Sequence, residues 1–197
     1  MATAWPSVPR SDPRHRVAAL LATLLSAGDG PLLTRLRHVR GDTYRMEART
    51  VALLTTGRLV VQGAVRAEAA ESCVRAVHHA LAEVARADVD PRLVDLSRRR
   101  LLTRIGHAVS TDRGRAADLV SAHLHGLPRD HHHGIEAGIL GVPDEALHRF
   151  ARELAEAGAA DVVIGGAGHH RAPGPPASTA VHVSTGAGRC PTPRSAG

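Results

Sequence analysis

The stretch Leu36-Arg37-His38-Val39-Arg40-Gly41-Asp42-Thr43-Tyr44 passes from an apolar segment with helical spacing into one with the alternation of a strand, and its reading decides the fold. Upstream, Leu32, Leu33 and Leu36 recur as on one face of a short helix. Downstream, a run from Tyr44 to Leu54 and a second from Arg58 to Arg66 flank the turn Thr55-Thr56-Gly57. Leu59, Val61 and Val65 alternate with Val60, Gln62 and Ala64, the pattern of a sheet covered mainly on one face. The segment therefore reads as helix, turn and β-hairpin. Arg37 and Tyr44 stand seven positions apart on either side of the Gly41-Asp42 turn. A guanidinium fork and a phenolic hydroxyl are both donors suited to the carbonyl oxygens of an extended peptide. From the residues alone, Arg37 is a helix surface residue and Tyr44 a half-buried strand residue.

The flanking sequence extends this pattern in both directions. Before it, Asp12-Pro13 reads as an N-cap with proline in the first turn, Val17, Leu20, Leu21 and Leu24 form a helical stripe, and Gly28 closes the helix. Arginines ahead of this apolar run and Ser26-Ala27-Gly28 behind it give it the outline of a signal peptide, but the caps and the stripe favour a core helix. After the hairpin, Ala70, Cys73, Val74, Val77, Leu81 and Val84 mark a long helix from about 67 to 86. Asp90-Pro91 opens another, with Val94, Leu101 and Ile105 on one side, and Ser110 is placed to cap a further one through about 127. A last helix from about 143 to 157 presents Leu147, Phe150, Ala151 and Leu154, and the apolar Asp161-Val162-Val163-Ile164-Gly165-Gly166 closes as a strand. The order is an α+β fold with an antiparallel-rich sheet and helices packed on one face. Residues 1–11, broken by Pro6 and Pro9, read as an irregular leader with a remnant strand; residues 12–166 form the domain; 167–197, rich in Gly, Pro, Ala, Ser and Thr, read as a disordered tail.

Composition narrows the partners. The 197 residues suffice for one domain with a core. Trp5, Tyr44 and Phe150 are its only large rings, so stacking on nucleic-acid bases is excluded as a main mode of binding. A net charge of +6 would suggest polyanions, but Lys and Asn are absent altogether and Arg stands wherever Lys would, the pattern of GC-driven codon usage. Arg98-Arg99-Arg100 and Arg104 fall within a helix, around whose axis successive residues fan out, and read as solvated surface. Cys73 lies on a helix stripe and Cys190 in the tail, so no disulfide framework is indicated and a cytoplasmic setting is expected. No run is long enough for a membrane span.

The metal-ligating residues are plentiful but poorly spaced. His131-His132-His133 could take up a transition metal adventitiously and otherwise reads as a solvated loop. His79 and Glu83 form an i, i+4 pair on a helix, and His123 and His125 are two apart. Gly165-Gly166-Ala167-Gly168 follows a strand, yet no helix follows it to make a dinucleotide loop.

The ordered set Ser11-Asp12-Pro13, Gly28-Asp29-Gly30, Leu33-Thr34-Arg35-Leu36-Arg37, Tyr44, Val89-Asp90-Pro91-Arg92-Leu93-Val94, Ser97-Arg98 and Val142-Pro143-Asp144-Glu145-Ala146-Leu147 resembles the C-terminal, non-zinc half domain of the pitrilysin/insulinase-type zinc metallopeptidases, which include the mitochondrial processing peptidases. The resemblance covers about Pro9 to Gly166. It implies that Arg37 and Tyr44 bind substrate near the scissile bond, while zinc sits on a homologous half that carries His-x-x-Glu-His. That motif is absent here; its nearest relative is His133-Gly134-Ile135-Glu136-Ala137, with Ala137 where the second His would stand. The resemblance thus implies no catalytic residue and no metal or cofactor in this chain. It implies a zinc-bearing partner subunit, a peptide substrate, and no role for nucleic acid or membrane. The alternative is an interaction or scaffold domain that keeps the fold without a part in proteolysis. The family pattern has a strand ahead of Asp12, where this chain has only Ala4-Trp5-Pro6-Ser7-Val8, so an unfilled sheet edge is expected.

Overall fold

The computed structural model describes residues 1–38, 43–128, 130–164 and 179–182, of which 37, 38, 43–45 and 179–182 are described in their backbone alone. Strand β1 (Ala2–Ser7) is followed by helices α1 (His15–Leu25) and α2 (Pro31–His38), then by the hairpin β2 (Thr43–Ala52) and β3 (Gly57–Val65). A 3-10 turn at Ala67–Ala69 leads into α3 (Ala70–Ala85), α4 (Pro91–Ala108), α5 (Asp112–Leu124), α6 (Ile135–Leu140) and α7 (Asp144–Ala157), and the chain returns to the sheet as β4 (Ala160–Val163) and β5 (Thr179–His182). The sheet order is β2-β3-β1-β4-β5, antiparallel throughout except for the parallel β4–β5 pair. The protein is an α+β fold, as its element pattern suggested.

The N-terminal segment corrects the sequence reading. Ala2–Ser7 is no remnant but the central strand, paired along six residues with β3 and along three with β4. Hydrogen-bond parity explains why Pro6 is tolerated. Met1 and Gly63 exchange both their backbone bonds, at 2.9 and 3.0 Å, so odd-numbered residues of β1 face β3 and even-numbered ones face β4. The β4 pairing stops at Ala4, so the donor missing at Pro6 has no ladder to serve. Gly57 completes the junction: a Cβ there would lie 2.0 Å from the Val8 carbonyl oxygen, so only glycine lets the strands approach this closely. Within the stretch read as a disordered tail, Thr179–His182 is the strand β5; the rest of that stretch, with Cys190 and the glycine run from Gly165, lies outside the described residues.

The sheet has one covered and one open face. Thr3, Trp5, Met46, Ala48, Leu59 and Val61 are buried beneath the helices, while their alternating neighbours Glu47, Arg49, Arg58 and Ala64 are exposed. The stripe of α1 is buried almost entirely, with Leu20, Leu21 and Leu24 at 0% exposure, so its signal-like hydrophobicity serves the core. Helix α1 begins at His15, later than Asp12-Pro13 suggested; Asp12 Oδ1 instead accepts from the Arg14 N–H at 2.8 Å in the turn before it. Ser26, at the other end of α1, accepts from Ala48 N at 2.7 Å and donates to Ala48 O at 2.9 Å, locking the helix to β2. Thr111, not Ser110, caps α5, through the Gly114 N–H.

Arg98 departs from the solvated surface expected of it. At 7% exposure it donates to Asp95, to the Val142 carbonyl oxygen at 2.8 Å and to Asp144, so it ties α4 to the start of α7. Arg100 pairs with Asp29 and Arg104 bonds Thr23, which leaves Arg99 to solvent and breaks up the basic run.

Helix α3 ends in a Schellman motif, with Asp88 N bonded to Glu83 O and Ala87 N to Val84 O. The residue at its left-handed position is Ala87, with φ 61°. An L-residue there carries about 1–2 kcal/mol of steric cost, partly offset by the entropy glycine loses on folding. Ala87→Gly is therefore expected to stabilise the protein by about 0.5–1 kcal/mol, raising the thermal midpoint by about 1–4 °C. A midpoint that falls would show that the cap geometry is otherwise.

Candidate functional site

Two places in the fold bear on the candidate residues. The first is where α2 ends and β2 begins. Pro31 sits at the first position of α2, and Leu32 and Leu36 point into the core, fixing the helix rotation. Arg35 pairs with Glu83 of α3, so Glu83 is engaged there and not with His79 as the i, i+4 spacing suggested. Arg37 thus lies in the last turn of α2 and Tyr44 in the first turn of chain along β2, as read from the sequence. Their side chains and residues 39–42 lie outside the described residues. The backbone adds one feature that the sequence did not signal. Thr43 pairs with Val65 but Arg45 with Ala64, so Tyr44 is the extra residue of a β-bulge. Bulges bend a strand and re-aim side chains, and they concentrate near functional sites.

The bulged end of β2 borders the open face of the sheet. Residues paired next to the bulge, Ala64, Gly63, Gln62 and Glu47, form a shallow depression with Met1, Ala2, Val162 and Ile164, of about 480 Å³. Its walls are mainly apolar, with Glu47 and Gln62 as the polar groups. It is wide and open, a shape for an extended chain more than for an enclosed small molecule.

The second place is the histidine-rich loop ahead of α6. Asp118 of α5, His131 and His132 are the one group of three metal-capable side chains found among the described residues, with ligand atoms within 4.8 Å of one another. The loop is not the solvated one expected from its sequence. His131 is only 8% exposed at its side chain, with Nδ1 3.1 Å from the Pro128 carbonyl oxygen and Nε2 2.8 Å from Asp118 Oδ2. His132 Nε2 lies 2.6 Å from the same oxygen, and Arg10 holds Asp118 Oδ1 at 2.7 Å. Burial alone would raise the Asp118 carboxyl, but its hydrogen bonds from Arg10 and His131 outweigh that and hold it below the usual range. Asp118 is thirteen residues away in sequence from His131, on another element, which is why spacing did not connect them. His133 and Glu136, the nearest approach to a zinc-peptidase motif, are exposed and take no part in the cluster. His78, half-buried, bonds Asp161 of β4 at 3.0 Å and packs edge-on against Trp5, which makes it a structural link between helix and sheet.

No protein-family model matches the chain, and no curated protein matches its sequence. Its fold, however, is shared with solved structures. The inactive M16 peptidase domain from Pseudomonas fluorescens superposes with a TM-score of 0.67 at 17% identity, over 78% of this chain and 36% of that one. The inactive peptidase domain of a candidate zinc protease from Bordetella parapertussis gives a TM-score of 0.68 at 13% identity, over 78% of this chain and 84% of that one. A protease from Helicobacter pylori gives 0.65 at 11% identity, over 77% and 37%. The chain spans about a third of the length of the Pseudomonas and Helicobacter proteins and most of the Bordetella domain. It shares the pitrilysin-like fold of the domains described as inactive in M16-type peptidases.

Proposed function

We propose that this chain is the non-catalytic half of a two-part peptidase, pairing with a homologous zinc-bearing half and lending Arg37 and Tyr44 to a shared peptide site. The observation that carries the reading is the match to domains described as inactive peptidase domains, together with the absence of His-x-x-Glu-His from the sequence. The bulge at Tyr44 and the open sheet face beside it support the placement of a substrate there. In this reading zinc on the homologous half would supply water activation and polarisation of the scissile carbonyl, and Arg37 and Tyr44 of this half contribute donors that hold the peptide backbone. The family's catalytic zinc does not fit this chain, because no helix carries its paired histidines and general-base glutamate.

The test is reconstitution. The chain is mixed with a homologous chain bearing His-x-x-Glu-His from the same source, and both size and cleavage of a fluorogenic peptide library are measured. A complex of the two chains that cleaves peptides, with neither chain active alone, is the expected result. Association without any gain in cleavage would move the protein to the scaffold role, and no association would overturn the pairing.

A further inference from the structure

Helix α5 poses a packing problem that the rest of the fold does not. Of its thirteen residues only Ala122 is buried, and Leu119, Val120 and Leu124 are 52%, 60% and 63% exposed. Apolar burial therefore contributes little to holding it, although an isolated helix of this length is marginal in water. What fastens it is one polar cluster. Arg10, from the β1–α1 connection, bonds Ser121 at 2.6 Å and Asp118 at 2.7 Å, and Asp118 meets His131 and His132 of the following loop.

The hydrogen-bond directions within that cluster do not close among neutral groups. A carbonyl oxygen can only accept, so His131 Nδ1 must carry the proton that it gives to Pro128 O. In the neutral ring Nε2 then presents a lone pair, and it points at a carboxylate oxygen 2.8 Å away that also has only lone pairs to offer. The two imidazole rings lie against each other, tilted by 39° with centroids 4.0 Å apart, and both Nε2 atoms reach the same carboxylate oxygen. Either one proton or a metal ion must lie between His131 Nε2 and this oxygen. His132 can itself donate from Nε2 to this oxygen, so a single proton on His131 would close the cluster by hydrogen bonds; a single divalent ion instead takes all three atoms as ligands at once.

We infer that Asp118, His131 and His132 form a binding site for a divalent transition-metal ion of the zinc class, which fastens α5 and the loop after it to the body of the domain. Two imidazoles and a carboxylate are the donor set that zinc takes in three-ligand sites, with a fourth position open to water. The supporting contacts are those such sites use. Pro128 O fixes the tautomer of His131, and Arg10 orients the carboxylate through the oxygen that the metal leaves free. Zinc–ligand bonds of about 2.0–2.2 Å in tetrahedral array place donors about 3.3 Å apart. The two nitrogen–oxygen distances thus need to open by about 0.5 and 0.7 Å, and His132, 36% exposed on a loop, has room for the larger shift. The site is unrelated to the peptidase zinc and departs from the expectation of a metal-free chain. It stands whether or not the pairing proposed above holds.

The experiment uses the full chain with any purification tag removed, titrated calorimetrically with zinc chloride and, for geometry, with cobalt(II) followed by its visible absorption. One zinc per chain, a tetrahedral cobalt spectrum, and a thermal midpoint raised by about 5–10 °C at a hundredfold excess over Kd are expected. His132→Ala is expected to weaken zinc binding by at least about tenfold while leaving the Arg10–Asp118 pair intact. His133→Ala, which changes the same histidine run outside the cluster, should leave binding within about twofold of the parent protein. Hydrogen exchange in α5 should slow on adding zinc in the parent and not in His132→Ala. Absence of saturable binding would overturn the site, as would binding unaffected by His132→Ala. Equal losses from His133→Ala and His132→Ala would also overturn it, by showing adventitious capture on a histidine tract.

Discussion

Replacing Trp5 by Ala is expected to destabilise the protein by about 3–5 kcal/mol, the usual cost of removing a large ring from a packed core. For a chain of this size that corresponds to a thermal midpoint lower by about 6–20 °C. The reasoning starts from its strand. Trp5 lies in β1, between β3 and β4, and is 1% exposed. Its ring packs edge-on against His78 with centroids 5.5 Å apart, and His78 in turn bonds Asp161 on β4. Truncation therefore opens a cavity at the sheet centre and loosens the link between α3 and the neighbouring strand. Trp5→Phe keeps most of the volume and should cost about 1–2 kcal/mol. If residues 1–11 were an irregular leader, the Ala variant would change stability by no more than about half a kcal/mol. Urea denaturation of the two variants separates these cases, since a midpoint within error of the parent would remove β1 from the core.

That contrast also shows where the sequence could be read and where it could not. Helices α1, α3 and α7 were legible because their buried stripes repeat with helical spacing: Leu20, Leu21 and Leu24; Cys73, Val77 and Leu81; Leu147, Phe150 and Leu154. The β2–β3 hairpin was legible from alternation, since one face is covered and the other open. Strand β1 was hidden because two prolines in a short segment argue against a central strand, and only the parity of its hydrogen bonds shows that Pro6 faces the side where pairing has ended. Arg98 was misread for a related reason. A basic run on a helix is usually solvated, and nothing local reveals that one of its members meets Val142 and Asp144 from a distant loop. The same holds for the metal-capable cluster, whose carboxylate and imidazoles come from different elements. Short-range patterns carry packing; polar networks that close between elements are a property of the tertiary structure. Arg37 and Tyr44 fall between these cases. Their positions on α2 and β2 were legible, while the bulge at Tyr44 was not, because an extra residue in one strand shows only once its partner is known.

If the chain does pair with a zinc-bearing half, the double variant Arg37→Ala, Tyr44→Phe is expected to slow peptide cleavage by the complex about a hundredfold while leaving the complex assembled. Arg37 is in the last turn of α2 and Tyr44, seven positions further on, is at the bulge opening β2, the strand whose Glu47 lines the open sheet face. Removing a donor aimed at a developing oxyanion costs about 3 kcal/mol, or about a hundredfold in rate. Removing a solvated side chain with no such role alters stability by only about half a kcal/mol and leaves turnover alone. The two substitutions keep the backbone at both positions as it is, since Ala is a good helix former at 37 and Phe retains the ring at 44. A split between kcat and KM sharpens the result. Loss confined to KM would assign the pair to uniform binding of the peptide, whereas a fall in kcat would place them where charge develops in the transition state. Unchanged turnover by an assembled double variant would sink the shared site and leave this half as a scaffold for its partner.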